Sequence, residues 1–142
     1  MSHARKQARK AAVQALYQWQ IAEHNIETIE NQFIDEHMNS KMDFKYFSEL
    51  LHKIPANISE LDALIKPCVD RTIEEVNPVE LAILRLGTYE LKYHLDLPFR
   101  VVINEYVDLT KKFGADQGHK FVNSVLDRLA KSLREVEFNA KK

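Results

Sequence analysis

Arg5, Lys6, Arg9 and Lys10 crowd the first ten residues with no acid among them, and this cluster is the sequence's clearest candidate for chemistry. The surrounding pattern places all four in the opening turns of a helix. Partial positive charge at a helix N-terminus disfavours each cation there by roughly 0.3–1 kcal/mol. Arg5–Arg9 and Lys6–Lys10 are also like-charge pairs four residues apart. Cations set against both preferences form either a solvated face that aids solubility or a site for a polyanion. Phosphate backbones suit the second reading, through charge-assisted hydrogen bonds and counterion release. Lys120-Phe121 sets a base beside an aromatic ring, a pairing that can stack an unpaired nucleobase; core packing is the competing role for Phe121.

Other chemistry finds little support. The histidines at 3, 24, 37, 52, 94 and 119 offer no pair four residues apart on one helix face, and Cys68 has no second cysteine beside it. No metal site or disulfide is therefore expected. Cys68 reads as a small buried hydrophobe in a reducing compartment. Gly87, Gly114 and Gly118 stand apart and build no phosphate loop. Asp35-Glu36 and Glu74-Glu75 are adjacent, so their carboxylates diverge on a helix and make poor acid–base pairs. No nucleophile turn surrounds a serine or threonine. We expect neither catalysis nor a cofactor.

The elements that must carry these residues are helical, because apolar positions recur at three and four residues nearly everywhere. Ala8, Ala12, Ala15, Leu16 and Trp19 form the stripe of a first helix over about 3–22. Asn25 and Asp43 can cap a second and a third, with Pro55 closing the third. Pro67 must interrupt the stripe of Ile58, Leu61, Leu64 and Ile65, after which a short helix runs through Ile73. Asn77-Pro78-Val79-Glu80 is the sharpest start signal, with Asn77 as N-cap and Glu80 placed as a capping-box carboxylate. The helix it opens is apolar around most of its circumference and reads as the most buried one. Pro98 opens the next, Gly114 stops it, and Asp116 can cap the last. From about residue 137 the tail is polar and expected to fray. This predicts an all-α fold of about seven helices in one domain, 1–142. Three glycines and four prolines leave little room for a turn-rich β architecture.

Net charge is −1 over 142 residues, yet the charge is sorted. Residues 1–22 hold four bases and no acid, residues 23–80 thirteen acids against five bases, and residues 81–142 eleven bases against eight acids. Such a chain can offer one face to a polyanion and another to a basic partner. No apolar run approaches the ~20 residues that span a bilayer, and no signal-peptide stretch follows the basic start, so a cytoplasmic location is expected.

Four stretches, in order, resemble the NusB family of transcription antitermination factors: Ala12–Gln20 (AVQALYQWQ), Pro78–Leu91 (PVELAILRLGTYEL), Val102–Val107 (VINEYV) and Phe113–Asp127 (FGADQGHKFVNSVLD). The resemblance implies two small helical bundles sharing a core. It also implies that the protein pairs with NusE, a ribosomal small-subunit protein, and binds single-stranded boxA RNA. The complex would act on elongating RNA polymerase with other Nus factors, notably on ribosomal RNA operons. The family's RNA-facing positions match Arg5, Lys6 and Arg9, then Gln117, His119, Lys120, Phe121 and Asn123. Its NusE-facing positions match Tyr17, Glu74 and Glu80, in keeping with the acidic middle of the chain. Departures are the mixture of lysine with arginine, Gln7 in place of a further base, Ser124 for a frequent glycine, and Gln117 where an acid can occur. The competing readings are a helical interaction module or homodimer that ignores RNA, and a fragment of an RNA-modifying enzyme. NusB-like domains also occur fused to RNA cytosine methyltransferases, but these residues include no such catalytic domain.

Overall fold

A computed structural model describes residues 2–140, which contain eight α-helices and no strand. Their packing divides into two compact units, Met1–Asn57 and Ile58–Lys142.

The first unit holds α1 (His3–Ala22), α2 (Ile26–Glu36) and α3 (Phe44–Ala56). Each begins where a side-chain oxygen takes otherwise orphaned amides. Ser2 accepts from Arg5, Asn25 from Glu27 and Thr28, and Asp43 from Tyr46. Ala8, Ala12 and Ala15 are fully buried, and their small size brings α1 close to Phe47, Leu50 and Leu51 of α3. Pro55 lies inside α3, one residue before its end.

The second unit holds α4 (Ile58–Ile65), α5 (Pro78–Tyr93), α6 (Phe99–Phe113), α7 (Gly118–Leu133) and α8 (Glu135–Ala140). Every residue of α5 from Glu80 to Leu91 is buried, as expected of a helix apolar on all sides. Gly87 allows α7 to approach it, since a Cβ there would stand 2.8 Å from Leu126 Cδ2.

Three local expectations need correcting. After Pro67 the chain makes only a 3-10 turn, Lys66–Cys68, then bends, and a second turn, Ile73–Glu75, precedes α5. Asp116 caps nothing: Gln117 occupies the N-cap position of α7 in a left-handed conformation, φ 67°, without a side-chain hydrogen bond. The tail is helical over Glu135–Ala140. Phe138 of α8 is 8% exposed against Phe99, and Glu137 accepts from the Phe99 amide and from Arg134. Arg134, itself buried, donates to the carbonyls of Leu91, His94 and Leu97 and so satisfies the end of α5. A polar tail sequence hides these contacts because their partners lie some 40 residues upstream.

Candidate nucleic-acid interface

At the start of α1 the basic cluster divides by depth. Lys6 and Lys10 are exposed, Arg5 is half-buried, and Arg9 is fully buried. Tyr46 of α3 meets both arginines. Its ring lies 4.3 Å from the Arg5 guanidinium and 5.2 Å from that of Arg9, and its hydroxyl accepts from Arg9 Nη2 at 3.5 Å. Asp43 stands 3.9 Å from Arg5 Nε, and its amide donates to the Ala4 carbonyl. The beginnings of α1 and α3 are thereby tied together. Gln7 adds a hydrogen bond to His3 at 2.9 Å.

In the second unit the start of α7 presents Gln117, Lys120 and Asn123 to solvent, with His119 and Phe121 half-buried. The turn before it is organised from beneath by Glu80. This carboxylate is 5% exposed, accepts from the Ala115 amide at 3.2 Å, and fills the space against Gly118. No acid stands in the first turn of α7, so Glu80 supplies negative charge close to that helix's positive end. Asn77 caps α5 unaided, and Glu80 does not reach back as a capping-box residue.

The acidic middle is partly structural as well. Glu74 is exposed, whereas Glu75 accepts from the amide and hydroxyl of Thr72 and closes the Ile73–Glu75 turn. Tyr17 is exposed on α1, one turn before exposed Ile21. Cys68 is half-buried, and burial pushes its thiol above the ordinary range, which leaves it a poor nucleophile.

The family model described as NusB family matches residues 6–131. The chain belongs to the NusB family. It is 55% identical over 138 residues to a transcription antitermination protein NusB of Pseudomonas putida (strain W619), covering 97% of this chain and 83% of that protein. With the NusB of Hahella chejuensis the identity is 49%, over 97% and 93% of the two chains. Among solved structures, T. maritima NusB matches with a TM-score of 0.80 at 30% identity, over 98% and 99%. The crystal structure of antitermination factors NusB and NusE in complex with dsRNA matches at 0.84 and 30%, over 93% and 99%.

Two of the positions carried over from the NusB family are buried. Arg9 is fully buried in the first unit, where it meets Tyr46, and Lys10 one residue on is exposed. Glu80 is likewise buried and serves the turn between α6 and α7. Arg5, Lys6, Gln117, His119, Lys120, Phe121 and Asn123 all keep at least part of their surface, as do Tyr17 and Glu74. Sequence reasoning missed Arg71, whose guanidinium lies over the Phe121 ring at 4.4 Å. The two are 50 positions apart, so no local pattern could have paired them.

Proposed function

We propose that this chain is a transcription antitermination factor that, with NusE, binds single-stranded boxA RNA and supports processive elongation, notably on ribosomal RNA operons. It works in the cytoplasm as a single NusB-like domain over 1–142, recruited to RNA polymerase with other Nus factors, and has no catalytic step. Carrying this reading is the match of 93% of the chain to a NusB solved with NusE and dsRNA. Exposed cations at the start of α1 and α7 are in keeping with it. Arg5, Lys6 and Lys120 meet phosphates, joined by Lys10, while Gln117, His119, Phe121 and Asn123 meet bases and sugars. Tyr17 and Glu74 face NusE. No helix among the described residues is long and apolar enough to cross a membrane.

Affinity for a boxA RNA, measured with and without NusE across a salt series and against a duplex of the same sequence, tests the reading. NusE should tighten binding, salt should weaken it steeply, and the duplex should bind less well because its bases are already stacked. Lys6→Glu with Lys10→Glu should abolish binding while leaving helicity intact; Arg9 is spared because its loss would unsettle the fold. A stable dimer that ignores both RNAs in the presence of NusE rejects the proposal in favour of a protein-interaction module.

A further inference from the structure

Arg71 lies between the two 3-10 turns, inside the acidic stretch, where charge counting assigns it no role. The segment carrying it is anchored on both sides. Before it, Arg128 of α7 donates to the Cys68 carbonyl at 2.7 Å. After it, Thr72 and Glu75 form a reciprocal capping box. Between these anchors the guanidinium carbon stands over the Phe121 ring, 4.4 Å from its centroid, and Nε donates to Asp70 Oδ1 at 2.8 Å. The side chain remains 39% exposed.

A guanidinium is planar, so one resting on an aromatic ring turns a second flat face outward. Its charge is already answered by Asp70, with Glu75 and Glu80 adding to the same field. A phosphate brought to Arg71 would meet these carboxylates, whereas a nucleobase is neutral and needs only the plane. Lys120, exposed one residue before Phe121, offers a backbone phosphate its own cation. We propose that Arg71 is an RNA-contacting residue whose guanidinium, stacked on Phe121, provides the surface on which an unpaired nucleobase of the bound RNA stacks. The inference rests on the RNA-binding reading and adds to it a ring–guanidinium–base stack.

The test uses the full chain with NusE and a short single-stranded boxA RNA carrying 2-aminopurine at one position at a time. Arg71→Ala should weaken binding by about tenfold, as loss of one stacked base does, and should relieve fluorescence quenching at one position only. Arg71→Lys keeps the charge but not the plane, and should behave like the alanine variant with an unaltered salt slope. Melting curves and NusE affinity should match the wild type for both. Full rescue by lysine makes the contact electrostatic and overturns the stack. Alanine binding as tightly as the wild type, or more tightly because the base takes the uncovered ring, overturns it too. A wild-type protein without RNA affinity sinks the functional reading itself, and the stack with it.

Discussion

Gly118 shows how one residue's missing side chain shapes the start of α7. A Cβ there would press into Glu80 Oε2, the oxygen that accepts from the Ala115 amide. Gly118→Ala should therefore lift the carboxylate off that amide and destabilise the protein by about 1–3 kcal/mol, the usual cost of an unsatisfied buried group. Combined with Glu80→Ala it should cost less than the sum of the two single changes, since the clash then vanishes. Urea melts of the four proteins decide this; strict additivity would show that Glu80 and the glycine do not meet. Arg9 teaches the same lesson in reverse. Its type marks it as a surface cation, yet it is interior, against Tyr46 far along the chain.

Between elements, α2 and α3 are clasped by Glu30, which accepts hydrogen bonds from the Ser48 hydroxyl and from His52 Nε2. Partial burial works to raise its pKa, but the Ser48 and His52 hydrogen bonds and the His52 charge outweigh it and hold the carboxyl below its ordinary 4.5. The native state thus binds this proton less readily than the unfolded chain. The clasp's stabilisation is present above about pH 4.5 and is lost as pH falls through the lower native value. Thermal melts of the wild type and Glu30→Gln between pH 3 and 7 should differ above about pH 4.5 and converge on the acid side. A constant gap would deny the carboxylate this role.

Across the whole molecule, neither unit is a polycation: residues 1–57 hold seven bases and seven acids, and residues 58–142 thirteen and fourteen. RNA affinity must then come from local clusters rather than from a general field. Replacing Lys6 or Lys10 by glutamine should lower the slope of log affinity against log salt by about 0.7 each, one counterion release on a single strand. The same change at Lys53, exposed near the end of α3 and outside the proposed contacts, should leave the slope unaltered. Equal slopes for all three would mean that the α1 lysines do not touch phosphate.

What the sequence determined by itself was local in origin. Three- and four-residue apolar spacing, the caps at Asn25, Asp43 and Asn77, and the all-round apolarity of α5 specify helices without reference to distant residues. The basic start and acidic middle are likewise visible in the order of residues, and the ordered motifs supplied the family. Tertiary structure alone decided depth and partnership. Packing sent Arg9 inward and Lys10 outward, buried Glu80 beneath a turn 35 positions away, turned a polar tail into α8, and laid Arg71 on Phe121. Each outcome depends on a contact between residues far apart in sequence, and a helical period carries no information about which distant side chain will meet which face.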